Sequence, residues 1–235
     1  MKTVLAKMRC IVCIIFVCIS YAGSAQNMSY KDWKKDAEED IRLLPKYGNI
    51  PKTKGQLNSD NQLIDSYIKQ EGSRRKASEV LIDIGFTYLY KGDIKTAMYR
   101  FNQAWLLDPE NENVFWGWGA IYFTFGDMSK ALEQYGEGLK LNPENPNILT
   151  DKGTIFMDKY YEHNDKSSLS SAIDLFSKSY SVDSTNQNTS YKLSVAYFIA
   201  KDCENALKFF DICKKLGGKP IRKEYDTALH NDCKM

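Results

Sequence analysis

Ile84-Gly85-Phe86-Thr87-Tyr88-Leu89-Tyr90-Lys91-Gly92-Asp93 returns 34 residues later as Trp118-Gly119-Ala120-Ile121-Tyr122-Phe123-Thr124-Phe125-Gly126-Asp127. The glycine, the tyrosine and the Gly-Asp pair hold the same register in both copies. The register extends to Ala97 and Ala131, Phe101 and Tyr135, Pro109 and Pro143, and Gly153 and Phe156 carry it into a third copy. A period of this size, with small residues at fixed slots, is the mark of stacked helical hairpins that cannot bury their apolar faces alone. It predicts an all-α solenoid rather than a compact single core.

Numbering each unit from one, the first spans 78–111 and the second 112–145. Positions 4, 7 and 11 (Leu81, Ile84 and Tyr88, then Phe115, Trp118 and Tyr122) fall on one face of the first helix of each pair, called A, and meet the second, called B. Position 8 is glycine and position 20 alanine, where a neighbouring helix comes close. Gly92-Asp93 and Gly126-Asp127 end helix A, and Asp108-Pro109 and Asn142-Pro143 stop helix B. The third unit, 146–186, keeps Leu149, Gly153 and Phe156, but Ala172 and Phe176 stand seven residues late, so an insert near Tyr160–Lys166 lengthens helix A, the turn, or both. The fourth, 187–218, keeps Leu193, Tyr197, Ala206 and Phe210 but carries Ser194 in the glycine slot.

These slots resemble the tetratricopeptide repeat, with its W-x2-L-G-x2-Y, A-x3-F and P signature. The resemblance covers residues 78–218 and implies a right-handed helical solenoid with helical caps at both ends. Residues 26–77 form the N-terminal cap. Ser29 is placed as an N-cap ahead of a stripe of Trp33, Ala37, Ile41 and Leu44, ended by Pro45 and Gly48. Ser59 with Gln62 reads as a capping box ahead of Leu63, Ile64, Tyr67 and Ile68. These helices are expected to cover the first hairpin. Residues 219–235 form the C-terminal cap, a helix from Pro220 to Asn231 with Ile221, Tyr225 and Leu229 spaced by four.

The first 25 residues read as a secretory leader. Lys2, Lys7 and Arg9 precede an apolar run from Cys10 to Ile19, and Ala22-Gly23-Ser24-Ala25 offers a cleavage site before Gln26. The run is short for a bilayer core, which needs about 20 residues. Cys18 follows the bulky Val17, which does not suit lipidation. With Ala25-Gln26-Asn27 around the cleavage site, the chain resembles exported tetratricopeptide proteins of Gram-negative bacteria, which implies a periplasmic or extracellular location for the mature chain, with no membrane span. The full sequence has 32 basic and 30 acidic residues, and the leader holds three of the basic ones. The near-neutral remainder argues against non-specific nucleic-acid binding.

Catalytic motifs are missing. There is no G-x-S-x-G, H-E-x-x-H, P-loop or G-x-G-x-x-G. Cys10-Ile11-Val12-Cys13 has C-x-x-C spacing but lies in the leader, and His163 and His230 read as surface residues. The sequence therefore predicts no enzyme, no cofactor and no metal. Gly117, Gly119 and Gly136 or Gly138 read as packing glycines between aromatics. Asn27-Met28-Ser29 and Asn188-Thr189-Ser190 match the glycosylation tripeptide, which acts only in a eukaryotic secretory pathway.

Three cysteines follow the leader. A helix of 14 residues is about 20 Å long, so a returning cap helix brings Cys233 beside Cys203 and leaves Cys213 as a buried thiol. Closing that loop stabilises by roughly 3–4 kcal/mol. Three free cysteines, or a metal site at His230 and Cys233, are the competing readings.

The resemblance also implies a binding groove along the concave face, lined by helix A positions 2, 5, 9 and 12–13. Here these give Ile82, Phe86, Tyr90, Asn113, Trp116, Phe123, Asn147 and Tyr191, an aromatic and polar stripe. Family members that grip a C-terminal carboxylate use Lys, Asn and Arg in slots held here by Ile82, Phe86, Ala120, Asn147 and Asp151, so that clamp is absent. The expected function is a non-catalytic scaffold or adaptor for a protein or extended peptide. Two alternatives stand beside it. One is a component of an envelope complex bound through the convex face or the 157–171 insert. The other is a thiol redox protein using Cys203, Cys213 or Cys233. Whether the N-terminal helices cover the groove is left open at this level.

Overall fold

A computed structural model describes residues 28–233. The leader, with Cys10, Cys13 and Cys18, and the start of the Asn27 tripeptide lie outside the described residues. Within them the chain is helical, with no strand. Short helix α1 (Tyr30–Glu39) and two 3-10 segments (Ile41–Leu43, Pro45–Asn49) precede α2 (Lys54–Glu71). Four hairpins follow: α3 (Arg74–Tyr90) with α4 (Ile94–Leu107), α5 (Glu112–Thr124) with α6 (Met128–Leu141), α7 (Pro146–His163) with α8 (Lys166–Val182), and α9 (Gln187–Ile199) with α10 (Cys203–Lys215). Helix α11 (Lys223–Asp232) closes the chain. Each hairpin packs on the next, so the core runs from end to end as a stack.

The Gly-Asp pairs perform two jobs. Gly92 and Gly126 take left-handed φ of 81° and 77° to reverse the chain. Asp93 and Asp127 then cap helix B, accepting from the Thr96 and Lys130 amides. In the fourth unit the same slot is Lys201 at φ 64°, followed by Asp202 as the cap. In the third it is Asn164 at φ 52°, followed by Asp165.

The insert resolves into both helices. Helix α7 has 18 residues against 13 in α5, and α8 has 17 against 14 in α6. The turn between α7 and α8 is shorter by one residue, so the enlarged unit stays a regular hairpin.

The small slot at position 8 answers to a ring rather than to a helix backbone. A Cβ on Gly85 would lie 2.4 Å from the Phe101 ring, one on Gly119 2.2 Å from Tyr135, and one on Gly153 2.6 Å from Phe176. Each ring is the position-24 aromatic of the same unit and is fully buried. In the fourth unit Ser194 fills the slot and donates its hydroxyl to the Ala206 carbonyl at 2.7 Å. Gly136 is not a packing glycine, since nothing lies within 4 Å of where its Cβ would be.

The N-terminal cap departs from the expected stripe. Helix α1 starts at the Ser29 cap but ends at Glu39, so Ile41 and Leu44 lie beyond it. The cause is downstream. Lys46, Tyr47, Gly48 and Asn49 form a left-handed turn with φ between 54° and 65°, a conformation that costs roughly 1–2 kcal/mol for each non-glycine residue. Fully buried Asn102 holds it, donating to the Arg42 and Leu44 carbonyls at 2.7 and 2.9 Å and accepting from the Lys46 amide at 3.1 Å. The capping box of α2 is Thr53 with Gln56, not Ser59 with Gln62; Ser59 sits inside the helix and donates to the Gly55 carbonyl. Helix α1 reaches past the first hairpin, where Tyr30 stacks on Phe125 at 5.0 Å and donates to Asp127 at 2.7 Å.

At the other end, Cys203 and Cys233 are joined in a disulfide, with Cα atoms 5.3 Å apart. Ile221 precedes α11 rather than belonging to it. Tyr225 and fully buried Leu229 dock α11 on the fourth unit, and the Tyr225 hydroxyl meets Ser194 Oγ at 2.6 Å.

Candidate functional site: the concave groove

Helices α3, α5, α7 and α9 stand side by side on the concave face. Between them lies an open cavity of about 380 Å³. One wall is aromatic: Phe86, Tyr90, Trp116 and Phe123. The other is polar, with Asn147, Asp151, Thr154, Asn188 and Lys192. No lining residue comes from the N-terminal cap, which packs on α3, on α4 and on the turn after α5, away from the groove.

The aromatic wall is preorganised. Phe86 packs against Trp116 at 4.0 Å between ring centroids and edge-on against Phe101 at 5.1 Å. The Trp116 indole N–H donates to Asp151 Oδ2 at 2.7 Å, which fixes the indole across the groove floor. Tyr90 remains 78% exposed at the rim, 5.9 Å from Phe86.

The polar floor is short of partners. Burial pushes the Asp151 carboxyl above the usual range, against the opposing pull of Trp116 and Lys192. Burial likewise pulls the Lys192 ammonium down, opposed by Asp151 and Asp158. Among the described residues, Lys192 and Asp158 make no ion pair or hydrogen bond. The Tyr135 hydroxyl is buried at the cavity floor beside Asp151, close enough to favour the charged form of that carboxyl but without a well-formed hydrogen bond. The side-chain amides of Asn147 and Asn188 are also unengaged. A smaller cavity of about 170 Å³ continues past Thr154 and Lys192 toward Met157, Asp158, Tyr161 and Tyr191.

The structure brings five of the eight residues marked from sequence to the main cavity: Phe86, Tyr90, Trp116, Phe123 and Asn147. The other three lie outside the main cavity. Ile82 is 4% exposed and belongs to the core. The Asn113 side-chain oxygen accepts from Asn145 Nδ2 at 2.9 Å, which joins the second and third units. Tyr191 lines the smaller cavity and packs edge-on against Tyr225 at 5.5 Å.

Lys192 and Tyr135 were absent from the marked set. Lys192 had a signal, since it occupies position 6 of its unit, the slot held by Asp151 one unit earlier. Tyr135 had none. Position 24 is a core slot, and only the far end of the ring reaches the groove.

Elsewhere the chemistry is sparse. No cluster among the described residues groups three metal-ligating side chains, and none of their helices is long and apolar enough to cross a membrane. Cys213 is buried, its thiol pushed up by burial, and it points at the Gln187 carbonyl at 3.5 Å.

No family profile and no curated protein matches the chain. Among solved structures, the thermophilic TPR protein TTC0263 of Thermus thermophilus is 14% identical, with a TM-score of 0.52 over 60% of this chain and 75% of its own. MamA from Desulfovibrio magneticus RS-1 is 15% identical, with a TM-score of 0.48 over 66% and 82%. YrrB, described as a TPR protein with an unusual peptide-binding site, is 18% identical, with a TM-score of 0.43 over 79% and 92%. The first likeness shows the fold: this chain has the architecture of a tetratricopeptide solenoid.

Proposed function

We propose that this chain is a non-catalytic scaffold that holds a protein or extended peptide along its concave face, and that it does so after export to the periplasm or beyond. The observation that carries the reading is the groove. Its aromatic wall is held in place by Phe86, Trp116 and Asp151, it stays open to solvent, and the Asn147, Asn188 and Lys192 side chains that line it lack partners among the described residues. Buried aromatic anchors ringed by polar groups are what protein recognition uses. The thiol reading is disfavoured by the burial and raised pKa of Cys213, since a reactive thiol needs exposure and a lowered pKa.

The test is capture from an envelope extract. Trp116→Ala combined with Phe123→Ala is expected to abolish partner capture while the helical circular dichroism stays unchanged. Capture that survives the double substitution in a folded protein moves the contact to the convex face or to the enlarged third unit.

A further inference from the structure

We infer that the groove is built to take an arginine side chain of an extended partner segment, with Asp151 as its counter-ion and Trp116, Phe86 and Tyr90 as its aromatic wall. The inference rests on the groove reading above and adds the chemistry of the occupant.

Four observations lead there. First, Asp151 spends one carboxylate oxygen on the Trp116 indole at 2.7 Å and has no cation in ion-pair contact. Second, the charges around the two linked cavities are Asp151, Asp158 and Lys192, two negative and one positive. A cation entering this groove meets a complementary field, whereas an anion meets two carboxylates. Third, the Tyr135 hydroxyl lies buried beside Asp151 and favours the charged, cation-binding form of that carboxyl. Fourth, the four rings of the aromatic wall border the same space, and ring faces attract cations.

Arginine fits better than lysine. A guanidinium is planar, stacks on aromatic faces and presents N–H groups in pairs to a carboxylate, whereas an ammonium is a compact, strongly hydrated point charge. Lys192 does not fill the role itself. It lies on the wall shared by both cavities, and arrival of the guanidinium displaces it toward Asp158 in the smaller one. That arrangement has an unusual consequence: removing the cation Lys192 strengthens binding of a cationic ligand.

The experiment uses the mature full chain and three capped heptapeptide pools. The pools share small, randomised flanks and differ only at the centre, which is arginine, neutral isosteric citrulline or glutamate. Binding is followed on the Trp116 indole N–H resonance, assigned with Trp116→Phe. The arginine pool is expected to bind about tenfold or more tighter than the citrulline pool, the scale of a charge-assisted pair with aromatic support. Asp151→Asn, which keeps an acceptor for the Trp116 indole, removes that preference, and Lys192→Gln enlarges it. Equal binding of all three pools overturns the arginine assignment and leaves the peptide groove standing. Preference for the glutamate pool overturns it in favour of an anion held by Lys192. Failure of every pool to move the Trp116 signal overturns it as well. Partner capture that also survives the Trp116 and Phe123 substitutions then removes the groove reading itself.

Discussion

Adding one methyl group at Gly119 tests the logic of the repeat. A Cβ there would sit 2.2, 2.5 and 2.9 Å from Cε1, Cδ1 and Cζ of Tyr135. Ordinary carbon contacts are about 3.5–4.0 Å, so the ring or helix α5 must retreat by more than an ångström. Tyr135 is fully buried, and only the hydroxyl end of its ring borders the groove, so the ring cannot swing clear of a Cβ at its edge. Overpacking of this kind costs typically about 1–3 kcal/mol and sometimes more. Alanine recovers about 1 kcal/mol of helix propensity over glycine, leaving a net loss of about 2 kcal/mol for a clash at the severe end. Gly136 is the control. It lies within α6 with nothing near its Cβ position, so Gly136→Ala gains propensity without a clash and stabilises by about 0.5–1 kcal/mol. Equilibrium urea unfolding, followed by circular dichroism at 222 nm, is expected to move the midpoint down for Gly119→Ala and up for Gly136→Ala. If Gly119→Ala is as stable as the parent, the ring is not pinned and the account of the small slot is wrong.

Asn102→Ala removes three hydrogen bonds from the left-handed turn at 46–49 and strands buried carbonyls, so it should cost about 2–4 kcal/mol; faster hydrogen exchange of the Lys46 amide is the readout, and unchanged exchange contradicts the anchoring role. The Arg42 guanidinium, with help from the Tyr99 hydroxyl, holds Asp40 down to about 2. Its folded pKa lies below the unfolded value of roughly 3.9, so its contribution is present above about pH 4 and fades as the pH falls toward the folded value. The difference in urea midpoint between the parent and Asp40→Asn should therefore widen as pH rises from about 2 to about 5; a constant difference excludes the linkage.

Much of the fold was legible because repeats report their packing through spacing. Gly-Asp at 92–93 and 126–127 marked the turns, and the retreat of Ala172 and Phe176 marked the enlarged unit. The division of that insert between α7 and α8 was not legible, because helix-forming residues extend either helix equally well. The N-terminal cap misled for a different reason. Ile41 and Leu44 continue a helical spacing, but Asn102, 58 residues beyond Leu44 in sequence, makes the non-helical path the better one. In the groove, the aromatic stripe was readable from helix A positions. Ile82 was not, since a few degrees of helix rotation decide between core and groove at the edge of a stripe. Asn113 was not either, since its partner Asn145 belongs to the next unit.

By itself the sequence determined the repeat, the hairpin order and the turns, since each follows from residues within one 34-residue unit and local chemistry acts over that range. Only the tertiary structure decided what faces what across units. It set the Trp116–Asp151 bond, the meeting of Asp151, Lys192 and the end of Tyr135 at one floor, and the route of the N-terminal cap away from the groove. Those depend on how far each hairpin turns relative to the next, a rotation fixed by the summed packing of whole helices and by no single residue.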